Sequence, residues 1–124
     1  MHHLGLDLDD VITTWPTWFA WLAGSVRRDG GKVTVITFRR DPEEAAAELA
    51  RLDVSYDALV TLPVDRVTDL FEWKAERCAA LGVDVFFDDA PEIVNHLDSS
   101  VLGLVVRDPE LGDLQITSGK TAPS

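Results

Sequence analysis

Five short apolar runs, separated by stretches of helical patterning, constrain the fold of this chain more than any other feature. They span residues 4–8, 33–37, 57–62, 83–87 and 102–106. The run at 33–37 is continuous and rich in β-branched residues, the pattern of a strand buried on both faces. The intervening stretches carry helix boundaries. Pro16 suits a first helical turn, and that helix ends before Asp29, Gly30 and Gly31. Asp41 caps a second helix, with Pro42 at its first position and Glu44 at capping-box spacing, and the helix runs to about residue 52. A third covers about 68–81 and stops at Gly82, and a short fourth opens at Asp89, Ala90, Pro91 and Glu92. Strands alternating with helices predict an α/β fold, a doubly wound parallel sheet of about five strands with helices on both faces.

In such a sheet ligands bind beyond the carboxyl ends of the strands. Three runs end there on polar residues: Asp7, with Asp9 two positions on; Thr37; and Asp88, followed by Asp89. Carboxylates two apart at a strand end converge on one small volume, because strand side chains alternate. Their repulsion is tolerated where a cation sits between them or where one holds a proton. These residue types suit phosphoryl chemistry. A phosphate ester repels an attacking anion, so its cleavage needs a nucleophile, charge neutralisation and a proton for the leaving group. One Asp can attack, a second can act as acid and base, and magnesium needs only a few carboxylates besides water.

Charge narrows the partners. The formal net charge of −11 argues against binding a nucleic-acid backbone, which is held mainly by Lys and Arg. It also means that a small phosphorylated substrate is attracted only if a bound divalent cation inverts the local sign. With 124 residues, 46% of them apolar, a single folded domain is expected. No apolar run reaches the length of a membrane span, and no signal peptide is read at the N-terminus. The lone Cys78 has no internal disulfide partner, so a reducing, cytoplasmic setting is expected.

Taken together, Asp7 and Asp9, Thr37, Lys74, and Asp88 with Asp89 resemble the four motifs of the haloacid dehalogenase-like (HAD) hydrolase superfamily, over about residues 4–106. The resemblance implies a Rossmann-like sheet in the order 3-2-1-4-5 within a core over residues 1–107, and the polar, Gly-, Pro- and Ser-containing stretch over 108–124 reads as a tail. The resemblance also implies a phosphomonoesterase that requires Mg2+. Asp7 would be the nucleophile and a metal ligand. Asp9 would be the general acid and base, with its backbone carbonyl on the metal. Thr37 would bond the phosphoryl group, Lys74 would neutralise its charge, and Asp88 and Asp89 would complete the metal site. The spacings leave no room for a cap domain. The site is then open to large substrates or covered by a second subunit.

Other residues carry weaker signals. Asp10 stands where many members of that superfamily have Gly, and suits a turn. Arg39 and Arg40 follow Thr37, and either recognise a distal anionic group of the substrate or are solvated. Trp15, Trp18 and Leu22 share one helix face, expected to pack in the core, with ring stacking on a substrate or a subunit contact as the alternative. His2, His3 and His96 show no metal-ligand spacing. Two rival readings remain. One is a HAD-fold module without turnover. The other is a phospho-accepting receiver-like domain, whose acceptor would have to be Asp53 or Asp57.

Overall fold

In the computed structural model, which describes residues 2–109, strands and helices alternate along the chain. The order is β1 (His3–Leu6), α1 (Pro16–Arg28), β2 (Lys32–Thr37), α2 (Pro42–Arg51), β3 (Ala58–Thr61), α3 (Leu70–Leu81), β4 (Val85–Asp88), α4 (Pro91–His96) and β5 (Leu102–Val105). All strand pairs are parallel, and the five-stranded sheet runs β3-β2-β1-β4-β5. This is a Rossmann-like α/β fold with β1 at its centre. The expected strand order is the observed one, and the described residues contain no cap domain. From residue 110 on, the expected tail lies outside the described residues.

Local chemistry sets the helix ends. Asp41 Oδ1 accepts hydrogen bonds from the Glu43 and Glu44 N–H groups at 3.0 and 3.3 Å, which starts α2. Gly82, with φ of 74°, takes the left-handed position that closes α3, a conformation glycine adopts without a Cβ penalty.

The sheet separates two cores. Leu4, Leu6, Val33 and Val35 pack against Phe19 and Ala23 of α1 and Ala45 and Leu49 of α2. Ile36 and Phe86 point the other way, with Trp73 and Cys78 of α3 and Ile93 of α4. The period of two along β2 divides the sets, and each large apolar side chain so buried contributes about 1.5–3 kcal/mol.

Two expectations need correction. First, Asp7 and Asp9 do not lie on one extended strand. The β1 ladder ends at Leu6, although the Asp7 N–H still donates to the Phe87 carbonyl at 3.0 Å. A wide turn then spans Leu8–Ile12, with Asp10 left-handed at φ of 66° and its N–H donating to Thr13 Oγ1 at 2.9 Å. Strand alternation is lost at Leu8, and it is the turn that brings Asp9 to the same edge pocket as Asp7. Second, Trp15 and Trp18 are not core residues: they are 40% and 49% exposed, and Trp21 is 59% exposed. The helix buries Phe19 and Ala23 instead. Trp18 rests edge-on against Phe87, 6.2 Å between ring centroids. Among the described residues α1 reaches β4 through Phe19 and Trp18 but no helix covers β5 on that side, where Leu102 and Leu104 are exposed as well. No described helix is long and apolar enough to cross a membrane.

Candidate functional site

Three carboxylates and one ammonium meet at the carboxyl edge of the sheet. Asp7 follows β1, Asp88 ends β4, and Asp89 comes next. Lys74 reaches them from α3. Its Nζ lies 3.0 Å from Asp7 Oδ1 and 2.9 Å from Asp88 Oδ2. All three side chains are buried, Lys74 and Asp88 almost completely. The ammonium also sits 4.2 Å from the centroid of the Phe38 ring, an apolar wall with a negative face.

The remaining carboxylate oxygens are unequal. Asp7 Oδ1 also accepts the Leu8 N–H at 2.8 Å, which leaves Oδ2 without a hydrogen bond from the described residues. Asp88 Oδ1 accepts the Ala90 N–H at 2.9 Å. Burial pushes the Asp7 carboxyl up, Lys74 pulls it partly back, and Asp88 and Asp89 push it up again. Asp89 is raised for similar reasons, burial first and then Asp88.

One oxygen each from Asp7, Asp88 and Asp89 lies within 4.8 Å of the others. Hard oxygen donors at that spacing fit a small divalent cation that keeps several waters. With all groups ionised, three carboxylates against one ammonium leave a net charge of −2, which such a cation would cancel.

The structure thus brings together Asp7, Lys74, Asp88 and Asp89, keeps Asp9 on the wall of the same pocket, and leaves Thr37 and Arg39 out of its lining. The Asp9 carboxylate is outside the metal-competent group. It is held by Arg39, whose Nε lies 3.0 Å from Asp9 Oδ2 and whose guanidinium NH2 group lies 2.7 Å from Asp9 Oδ1. That hydrogen bonding raises the Arg39 guanidinium further above its ordinary value. Thr37 is fully buried, its Oγ1 accepts the Arg39 N–H at 3.1 Å, and it does not line the pocket. Arg40 donates to the carbonyls of Pro63 and Val64 at 3.0 and 2.9 Å, and so pins the loop after β3.

The pocket at this edge holds about 250 Å3 and is lined by Asp7, Asp9, Asp10, Lys74, Asp88 and Asp89 on its polar side. Phe38, Phe71 and Ile93 form an apolar side that sequence reasoning missed. Phe38 was readable as the neighbour of Thr37 at a strand end, whereas Phe71 had no distinguishing signal. Glu48 was also missed, although Glu44 and Glu48 stand one helical turn apart on α2 and both face Arg39. Asp53 and Asp57 precede β3, at the sheet's opposite edge, where Asp57 Oδ2 accepts the Val33 N–H at 2.8 Å. Cys78 is buried in the core, and burial pushes its thiol up to about 12.

No family model and no curated protein matches this chain. Solved structures do. A chain in the structure of the Pnkp1/Rnl/Hen1 RNA repair complex superposes with a TM-score of 0.70 at 18% identity, over 85% of this chain and 42% of that one. A chain in a second structure of the Pnkp1/Rnl/Hen1 complex does so with a TM-score of 0.65 at 17% identity, over 85% of this chain and 45% of the other. The present chain spans less than half the length of either, and at these identities the likeness is one of fold.

Proposed function

We propose that this chain is a small HAD-like phosphohydrolase that requires magnesium and cleaves phosphomonoesters through an aspartyl-phosphate on Asp7. The observation that carries the reading is the meeting of Asp7, Asp88 and Asp89 around Lys74 at the carboxyl edge of the sheet. Buried like charges at that density are sustained by a cation, and a phosphoryl dianion enters such a site only with one.

Asp7, Asp88 and Asp89 would hold magnesium, which when bound supplies charge neutralisation for the phosphoryl oxygens. The chain's own residues do the rest. Asp7 Oδ2 attacks phosphorus while the ester P–O bond breaks, and Asp9 delivers a proton to the departing alkoxide. Water then attacks the phosphoryl group on Asp7, and Asp9 takes its proton. The bond from phosphorus to the Asp7 oxygen breaks, which restores the carboxylate and frees phosphate. Lys74 balances the charge of Asp7 throughout. Thr37 acts from behind by fixing the Arg39 backbone.

A small phosphorylated metabolite or nucleotide is the substrate class, with Phe38 and Phe71 as the wall for its apolar part. A reducing, cytoplasmic setting fits the lone buried Cys78. Hydrolysis of an aryl phosphate with magnesium and with chelator, for wild type and Asp7→Asn, tests the reading. Turnover that needs magnesium and is lost in Asp7→Asn supports it. Turnover that survives Asp7→Asn refutes it.

A further inference from the structure

Arg39 follows a motif residue at the active edge, where an arginine would ordinarily be assigned to the substrate. Its surroundings say otherwise. Both carboxylate oxygens of Asp9 are taken by the guanidinium, at 3.0 Å through Nε and 2.7 Å through an NH2 group. The same guanidinium also faces Glu48 at 3.5 Å, through the nitrogen that holds Asp9 Oδ1, and Glu44 at 3.9 Å. Glu48 is itself paired with Arg51. The Arg39 backbone is tied down too, since its N–H donates to the buried Thr37 hydroxyl. A guanidinium ringed by three carboxylates has little positive potential left for a substrate anion. The two-pronged pair instead fixes the direction of one carboxylate, because a planar fork matches both oxygens at once. Asp9 needs that help. It sits on the turn after β1, beside left-handed Asp10, with its side chain half exposed and no other side chain among the described residues bonded to it.

We infer that Arg39 is a positioning residue for Asp9, braced from α2 by Glu48, and not a contact for the substrate. The inference rests on the phosphohydrolase reading, since it takes Asp9 as the acid and base.

Kinetics of Arg39→Ala, Arg39→Lys, Asp9→Asn, the Arg39→Ala/Asp9→Asn double variant and Glu48→Gln test it. Two phosphomonoesters serve as substrates, one with and one without a second anionic group. Arg39→Ala should lower kcat about ten- to a hundredfold, within the span that general acid–base catalysis covers. KM should hold and both substrates should suffer equally. Arg39→Lys should restore only part of the loss, because an ammonium cannot grip both oxygens. In the Asp9→Asn background Arg39→Ala should cost nothing further. Glu48→Gln, remote from the pocket lining, should lower kcat in the same direction by a smaller factor, which guards against a folding defect in the Arg39 variants.

A rise in KM confined to the substrate with the second anion, or losses that add to those of Asp9→Asn, would overturn the inference while leaving the phosphohydrolase reading intact. Absence of wild-type turnover, or turnover indifferent to Asp7→Asn, would remove both.

Discussion

Lys74 Nζ lies 2.9 Å from Asp88 Oδ2, and neither side chain is more than 1% exposed. A charge so placed is held by its partners alone. Lys74→Met would leave the carboxylates of Asp7 and Asp88 buried without a counter-charge. Such a loss costs about 3–5 kcal/mol. Urea unfolding of the metal-free protein at pH 8 should show a loss of that order, and Lys74→Met/Asp88→Asn should recover part of it. A loss below about 1 kcal/mol would mean that water already screens the pair.

Asp7 gives stability a characteristic pH dependence. Burial raises its carboxyl from 3.8 to about 7 in the folded chain. An acid with a raised folded value binds its proton more tightly when folded, so its contribution is greatest below pH 3.8 and falls as pH rises toward 7. Metal-free wild type should therefore lose stability relative to Asp7→Asn across that window. Magnesium selects the ionised carboxylate, so the rise in Tm that it produces should be larger at pH 8 than at pH 5.5, and Asp88→Asn should remove most of it. A magnesium effect independent of both pH and Asp88 would place the ion elsewhere.

Asp57 works in the opposite sense at the far edge of the sheet. The Val33 N–H, and secondarily Arg27, hold its carboxyl below 3.8. Its contribution is full above that value and fades as pH falls through the folded one. The gap between wild type and Asp57→Asn in thermal unfolding should be constant near neutrality and close below pH 4. A gap that persists at pH 2 would show that geometry, not charge, is what Asn fails to replace.

Asp10 occupies a left-handed conformation at φ of 66°. Glycine is at ease there, and a β-branched residue is not. Asp10→Gly should lie within about 1 kcal/mol of wild type, while Asp10→Val should lose about 1–2 kcal/mol or more. Equal stability of the two variants would show that the turn relaxes around its side chain.

The sheet was legible because its strands are continuous apolar runs whose helices carry their own start and stop signals, such as Asp41 and Gly82. Strand ends were less so: the run at 4–8 continues past β1 because Leu8 is buried by the turn rather than by pairing. Asp7, Asp88 and Asp89 could be nominated from their places at strand ends, whereas Lys74 stood out only through the resemblance to the four motifs, since a helix lysine is ordinarily solvated. The grip of Arg39 on Asp9 could not, because it depends on the backbone path through Leu8 and Asp10 and on Glu48 from another element. Trp15 and Trp18 misled for a related reason. Helical periodicity groups residues on a face without saying whether a neighbouring element covers it, and among the described residues none covers this one.

The most direct measurement is to mix the protein with an aryl phosphate and magnesium, quench in acid within a turnover, and locate any phosphorylated peptide by mass spectrometry. Attack by Asp7 predicts a phosphoryl group on the peptide containing Asp7, formed only with magnesium, labile to hydroxide as an acyl phosphate is, and absent from Asp7→Asn. A phosphoryl group on Asp53 or Asp57 instead, or turnover that persists in Asp7→Asn, would contradict the assignment.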